Sequence, residues 1–451
     1  MKVLKFGGTS VGTAESLQRV KAIVEDQQEP CIVIVSALGG LTDKLIATAE
    51  AAAIGDVSYE NTFIEITERH KTVCEAVVPE QRLSNIWSKI SALLDELSSV
   101  FKAIFLLREL TERSKDLVVS YGERMSSIIV TSMFEDASLA NSLEFIRTHK
   151  RFGKNVLDQT ATSRLINETF DKLQTVNTII APGFISKDEQ ERITNLGRGG
   201  SDYTAAIIAA ELNANVLEIW TDVDGFMSAD PRIVKDARII DKLNFVEAME
   251  LCNFGAKVIY PPTIYPVFHQ NIPILIKNTF NPTASGTLIS EGEVLQSDVL
   301  GVSSIADTRL ISLHESSKGA YERMINALTR QGIETLMPDG IKKCGIRGAD
   351  AANAEKILNE EFAEELISGT LKTISLSEKL ATIAVVSRGN ALEENATSKL
   401  ASALNCQGIP VIHLPQQASQ TTVACMVEAE NLSEALQIIH TSFIKNSHNN
   451  S

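Results

Sequence analysis

Apolar residues recur along this chain with two different periods, and the alternation between them lays out its elements. KVLKF at the start reads as a short strand, and the segment after it places Leu17, Val20 and Val24 on one face of a helix. CIVIVS is continuously apolar, as a strand covered on both faces must be. The glycines of ALGGLTD follow, then KLIATAEAAA, a helix. Strand, glycine turn and helix, twice in about 50 residues, predict an α/β fold with a largely parallel sheet. From 60 to 113 the period is helical throughout. Phe63, Ile66, His70, Val73 and Val77 form one stripe, and Ile86, Ile90, Leu93, Leu97 and Ile104 another. His70, on an apolar face, is expected to be a hydrogen-bonded core histidine rather than a ligand. Alternation resumes with VNTIIAPGFIS, the helix SDYTAAIIAAELNA, the strand NVLEIWTDVDGF and then IPILIKNTF.

Near residue 290 the pattern changes, and SGTLISEGEVLQSD is expected to be a domain boundary, separating a first domain (1–290) from a C-terminal region (298–451). That region repeats itself: ALTRQGIETL and ALNCQGIPVI match 76 residues apart. Gly332 and Gly408 fit the left-handed position that closes a helix. Each copy follows a strand (RLISLHES, LATIAVVSRG) and precedes a strand and helix. Two βαββαβ units, over approximately 305–375 and 376–451, are the expectation.

Composition narrows the class. A chain of 451 residues is too long for one core. A net charge of −15 disfavours nucleic acid or an anionic membrane as partner. No apolar run is long enough to span a bilayer, and no signal peptide is expected. The six cysteines have neither CxxC nor cysteine–histidine ligand spacing. They read as reduced residues of a cytoplasmic protein, without a metal site of their own.

The chemistry-bearing residues cluster where strands end. In Lys5-Phe6-Gly7-Gly8-Thr9-Ser10 the glycines let backbone N–H groups approach an anion, and the next helix offers its positive end. A tight turn with a surface lysine is the competing possibility. In NLGRGGSDYTAA, Ser201 is expected to cap the helix, with Asp202 in its first turn. Arg198, Gly199 and Gly200 exceed what a cap requires, and arginine grips a carboxylate with two parallel bonds. TDVDGFMSADPR is either a solvated loop or a nucleotide rim. Glu123, after the strand-like LVVSYG, suits a substrate ammonium or a surface lysine. In FGAKVIYPPT, Lys257 alone decides nothing.

Taken together, KFGGTS, VSALGGLTD, YGER, PGFIS, LGRGGSDYTA, TDVDGFMSADPR, GAKVIYPPT and KNTFNP, in this order across residues 2–281, resemble the aspartate kinases of the amino acid kinase superfamily. The repeat resembles the paired ACT domains that follow the kinase in that family. The resemblance implies a parallel sheet between helices, and transfer of the ATP γ-phosphoryl group to the β-carboxylate of L-aspartate, giving 4-phospho-L-aspartate. This is the first step toward lysine, threonine and methionine. It implies catalytic roles for Lys5 and Asp202. Thr42, Glu123, Phe184, Arg198, Gly199, Gly200 and Ser201 would bind aspartate. Lys5, Gly7, Gly8, Ser36, Thr221, Asp222, Met227, Arg232, Lys257 and Val258 would frame ATP, with Mg2+ arriving on the nucleotide. A homodimer through the ACT region and lysine or threonine as effector are also implied, with no further enzymatic domain after the repeat.

The chain departs from the family pattern in places. Met227 stands where many relatives have tyrosine, and Tyr260-Pro261-Pro262-Thr263 replaces HPRT. DGIKKCGIRG and ASQTTVACMV do not carry the family's serine–asparagine–hydroxyl effector pattern. Three alternatives stay open: a kinase for another acidic substrate such as glutamate or acetylglutamate, an amino-acid-binding regulator with an inert kinase half, and a dinucleotide oxidoreductase. The last is opposed by the missing GxGxxG.

Overall fold

The computed structural model describes residues 1–151, 153–291, 298–314, 319–389, 392, 395–415 and 421–445. The stretch 292–297 of the expected boundary and the first three residues of ASQTTVACMV lie outside them. Tertiary contacts divide the chain into two units. One comprises Met1–Phe226, Asp241–Phe245 and Val258–Glu291; the other comprises Met227–Ile240, Val246–Lys257 and Gly292–Ser451.

Among its described residues the first unit contains twelve strands: β1 (Lys2–Phe6), β2 (Cys31–Val35), β3 (Ala137–Leu139), β4 (Arg147–Arg151), β5 (Lys154–Leu157), β6 (Thr178–Pro182), β7 (Ile185–Asp188), β8 (Ile193–Asn195), β9 (Val216–Thr221), β10 (Lys242–Leu243), β11 (Ile274–Asn278) and β12 (Thr287–Ile289). Eight form one sheet in the order β10-β12-β11-β9-β1-β2-β6-β3. Its pairings are parallel except for β12 against β11. All five residues of β2 are buried, as its unbroken apolar run requires. Register places Phe6 opposite both Val35 and Trp220, and Val35 opposite Pro182. The loops after β1, β2, β6 and β9 therefore leave one edge of the sheet, where open parallel sheets hold ligands. A second sheet, β5-β4-β7-β8, carries the loop before the helix Gly200–Glu211.

Helices Tyr59–Val77, Glu80–Leu107 and Glu112–Ser132 match the helical period seen in sequence. Their stripes meet in one core, with Ile66, Ile90, Leu97 and Phe101 fully enclosed. Truncating a phenylalanine so placed costs about 3–5 kcal/mol. His70 is buried there too. Its Nδ1 bonds the Ile66 carbonyl at 2.7 Å, while Nε2 has no partner among the described residues. Burial pulls its pKa down to about 4. The run LVVSYG, strand-like in sequence, is helical instead, inside Glu112–Ser132. Residues Val118 to Glu123 are all buried, so this stretch lacks the one-sided apolar stripe by which a helix is told from a strand.

The second unit holds β13 (Asp298–His314), β14 (Lys343–Arg347), β15 (Thr373–Leu376), β16 (Leu380–Arg388) and β17 (Thr422–Glu428) in one antiparallel sheet, β14-β13-β16-β17, with β15 also on β13. Both repeat copies run strand, helix, strand, helix. Gly332 and Gly408 have φ of 74° and 77°, the left-handed helix-closing conformation. One βαββαβ strand position in each copy is reduced to an isolated bridge, Leu336 to Gly345 and His413 to Met426. β13 serves both copies: Asp298–Thr308 pairs with β16, and Thr308–His314 pairs with β14 and β15. No disulfide joins the six cysteines, and Cys406 is exposed while the other five are buried. No described helix is long and apolar enough to cross a membrane.

Candidate active site

The site begins at the end of β1. Lys5 is largely enclosed, and its Nζ lies 2.5 Å from Asp202 Oδ1 in the first turn of helix Gly200–Glu211. This is charge contact without hydrogen-bond alignment, and Asp202 Oδ1 has no aligned donor. A side chain on Gly7 would sit 3.4 Å from that ammonium, so the glycine keeps the space in front of Lys5 open. The Gly7 amide itself is committed, donating to the Trp220 carbonyl at 3.2 Å. The expectation that it faces an anion is thereby corrected: Gly7 prolongs the β1–β9 ladder by one bond, and since Val11 and Gly12 donate back to the Gly7 and Thr9 carbonyls, the amides left for a ligand are those of Gly8, Thr9 and Ser10. Ser10, fully buried, fastens the turn through Oγ to Thr279 Oγ1 at 2.7 Å. KFGGTS and KNTFNP are thus one assembly.

The glycine turn after β2 packs backbone to backbone on the first. A Cβ on Gly39 would fall 2.8 Å from the Gly8 oxygen. Arg69, from helix Tyr59–Val77, ties the two turns together by donating to the carbonyls of Gly12 (3.0 Å) and Gly39 (2.8 Å). This turns two oxygens away from an incoming anion. No local signal marks Arg69 in sequence, since its partners are 57 and 30 residues away.

The two helices bordering these turns lack side-chain caps. Gly40 and Gly199 occupy the N-cap positions of Leu41–Ile54 and Gly200–Glu211 in left-handed conformation, with φ of 72° and 70°. Ser201, expected as the cap, is instead inside the first turn, because the left-handed Gly199 has already turned the chain. Helices beginning at Ala14, Glu112 and Gln159 have Thr13, Thr111 and Asp158 as ordinary caps. Uncapped ends leave first-turn N–H groups such as those of Thr42 and Ser201 for a ligand.

Glu123 faces the site from the middle of helix Glu112–Ser132. It is 3% exposed; Oε1 accepts the Ala37 amide at 3.3 Å, and Oε2 has no partner among the described residues. Burial raises its pKa to about 8. Gly122 makes this placement possible, since a Cβ there would lie 2.7 Å from the Ala37 Cβ. Phe184, at a φ of 68°, packs its ring against Gly200, and Gly183 admits Ser201. Arg198 is exposed on the turn between Gly197 and Gly199 and makes no ion pair among the described residues.

Sequence motifs therefore converge in this unit: Lys5 with Asp202, the two glycine turns, Ser36 beside Ala37 and Glu123, and Phe184 with Gly200 and Ser201. Thr221 ends β9 and the exposed Asp222 follows it, and Val258 begins the last segment of the same unit. Met227, Arg232 and Lys257 belong to the second unit. There Arg232 does not stand free for phosphate; it clasps Asp230 with Nε at 3.0 Å and Nη2 at 2.6 Å. That hydrogen bonding holds the Asp230 carboxyl below its usual range.

Comparison with known proteins places this geometry. A bifunctional aspartokinase/homoserine dehydrogenase of Buchnera aphidicola (subsp. Acyrthosiphon pisum) is 31% identical over 99% of this chain and 57% of its own length. This chain thus spans little more than half of such bifunctional relatives. Lysine-sensitive aspartokinase 3 of Escherichia coli K12 is 28% identical, over 98% of this chain and 99% of that one. The crystal structure of E. coli aspartokinase III with aspartate and ADP (R-state) superposes with a TM-score of 0.85 at 26% identity, covering 98% and 99% of the two chains. The same enzyme with lysine and aspartate (T-state) gives 0.77 at 27% identity, over the same shares. The model of the amino acid kinase family matches residues 1–278, well over half of the sequence, and the chain belongs to that family.

Proposed function

We propose that this chain is an aspartate kinase, forming 4-phospho-L-aspartate and ADP from L-aspartate and ATP. The observation that carries the proposal is the Lys5–Asp202 pair in front of two uncapped helix ends, with the buried, half-unpaired carboxylate of Glu123 in the same unit. Support comes also from E. coli aspartokinase III, which was solved with aspartate and ADP and matches over nearly its whole length.

The nucleophile is already ionised at neutral pH, so no strong general base is required. An oxygen of the β-carboxylate attacks the γ-phosphorus, the bridge to the β-phosphate breaks, and ADP leaves with the bond pair. The chain's task is positioning and charge neutralisation. Lys5 neutralises the migrating group, and Asp202 holds its ammonium in place. Glu123 receives the α-ammonium on Oε2, and Arg198 receives the α-carboxylate as a two-pronged donor. Thr42, Phe184 and Ser201 complete the aspartate pocket, with the amide of Gly199 and the adjoining Gly200, whose own amide is held by the Gly197 carbonyl at 3.0 Å. Gly8, Ser36, Thr221, Asp222 and Val258 are assigned to the nucleotide. Magnesium is assigned to the triphosphate, held by phosphate oxygens and water; among the described residues no three acidic, histidine or cysteine side chains gather into a metal cage.

The proposal extends to a kinase domain over 1–290 and two ACT-like units beyond 298, to homodimers through the latter, and to a cytoplasmic location. Lysine is the proposed effector, supported by the lysine complex of E. coli aspartokinase III. The test is a hydroxylamine trap of the acyl phosphate with ATP and each of aspartate, glutamate and acetylglutamate, with and without lysine or threonine. Hydroxamate with aspartate alone is expected; turnover of another substrate instead, or none, overturns the assignment.

A further inference from the structure

Asp116 belongs to no motif, yet it joins the pieces on which amino acid recognition is proposed to rest. It lies seven residues before Glu123 on helix Glu112–Ser132, on the same face and roughly 10 Å along the axis. Its Oδ1 accepts Asn195 Nδ2 at 2.6 Å, and its Oδ2 accepts Asn155 Nδ2 at 3.2 Å. The Asn155 amide also donates to the Asn195 carbonyl at 3.2 Å. Asn195 ends β8, and its Oδ1 accepts the amide of Gly197 at 2.8 Å. Gly197 has a φ of 74° and directly precedes Arg198. A chain of side-chain hydrogen bonds therefore runs from the helix that carries Glu123 to the turn that carries Arg198. Arg198 is exposed and has no ion pair to hold it among the described residues, so the turn must set where its guanidinium starts from.

We propose that Asp116 is a positioning residue that fixes the Arg198 turn relative to Glu123, and so sets the spacing at which the α-ammonium and α-carboxylate of the substrate are read. This rests on the assignment of Glu123 and Arg198 to the amino acid. Asp116 touches neither substrate nor nucleotide, so it acts on binding of the amino acid and not on phosphoryl transfer. Half-buried carboxylates that accept from two amide side chains are not needed to close a helix, whose own cap here is Thr111.

Steady-state kinetics test this with Asp116→Asn, Asn195→Ala and the exchange variant Asp116→Asn/Asn195→Asp. The exchange reverses donor and acceptor across the 2.6 Å bond and retains every other bond in the chain. The amide introduced on the helix would accept from Asn155 and donate to the carboxylate introduced at the end of β8, whose second oxygen still accepts from Gly197. Each single variant is expected to raise KM for aspartate roughly tenfold, the effect of one hydrogen bond to a charged group. The KM for ATP and kcat should stay within about twofold, and the exchange should restore the aspartate KM. Asn195→Ala reads the same bond from the other side if Asp116→Asn fails to fold. An unchanged aspartate KM, or a fall in kcat and stability with both KM values rising together and no recovery on exchange, overturns the inference. A wild-type chain that turns over no aspartate overturns it together with the functional assignment, whereas active wild type with indifferent variants overturns it alone.

Discussion

Replacing Glu123 by glutamine should make the ligand-free protein more stable at high pH while removing its grip on aspartate. Glu123 is buried, one oxygen has a single backbone donor and the other has none, so ionisation is penalised and its pKa stands at about 8 in the fold against 4.5 in the unfolded chain. At about 1.4 kcal/mol per pKa unit, the ionised carboxylate destabilises the free protein by about 5 kcal/mol. The sign follows from proton counting. Between pH 4.5 and 8 the folded state holds a proton that the unfolded state has lost, so stability falls as pH rises through this window. Below it both states are protonated, and above it the full penalty applies. Urea unfolding without ligand, at about pH 5.5 and about pH 9, should therefore show wild type losing several kcal/mol more than Glu123→Gln between the two. Aspartate binding should show the converse. Its ammonium supplies the missing partner, so wild-type affinity rises as pH approaches 8, and the variant is weak and pH-independent in that range. Parallel stability curves for the two proteins would refute the reasoning, because Glu123 would then be paired or hydrated in solution.

Lys5→Met keeps the enclosed stem and removes the charge. The expected result is a loss in kcat on the order of 10³-fold with unfolding free energy within about 1 kcal/mol of wild type; a variant that no longer folds would reassign Lys5 as structural. Gly122→Ala inserts a Cβ 2.7 Å from the Ala37 Cβ, which should cost about 1–3 kcal/mol by overpacking and weaken aspartate binding. Calorimetry showing no loss would mean that the helix does not press on the β2 turn. His70, with its pKa lowered to about 4 by burial, stays neutral while the unfolded residue takes a proton below pH 6.5. Stability is therefore lost as pH falls from 6.5 toward 4, by about 3 kcal/mol. His70→Leu should flatten acid unfolding in that interval, and an unaltered curve would contradict the assignment.

Local pattern carried far into this fold. The unbroken apolar run of CIVIV predicts β2, every residue of which is buried. The periodic stripes around Ile66 and Ile90 predict long helices, and the glycine that closes a helix is legible at both Gly332 and Gly408. What failed did so where burial or geometry is set from afar. LVVSYG is enclosed by neighbouring elements distant in sequence and so loses its helical stripe. Ser201 looked like a cap because sequence shows hydroxyls and not the φ of Gly199. The Gly7 amide was spent on Trp220 by strand pairing between the two ends of the first unit. β13 is shared between two repeat copies, which self-similarity cannot show, since the shared residues occur once. Arg69 and the Asn155–Asp116–Asn195 bridge are composed wholly of contacts between separated segments, and no spacing rule marks them.

The central claim is that Lys5 meets the phosphoryl group in flight while Glu123 holds the ammonium of aspartate. A crystal structure with ADP, aspartate and a planar magnesium trifluoride tests it most directly. The account predicts Lys5 Nζ within hydrogen-bond distance of a fluorine, with the aspartate ammonium on Glu123 Oε2 and its β-carboxylate in line with the leaving oxygen. A complex in which trifluoride and aspartate bind in line while Lys5 remains on Asp202 alone, or in which Glu123 Oε2 contacts no ammonium, would contradict it.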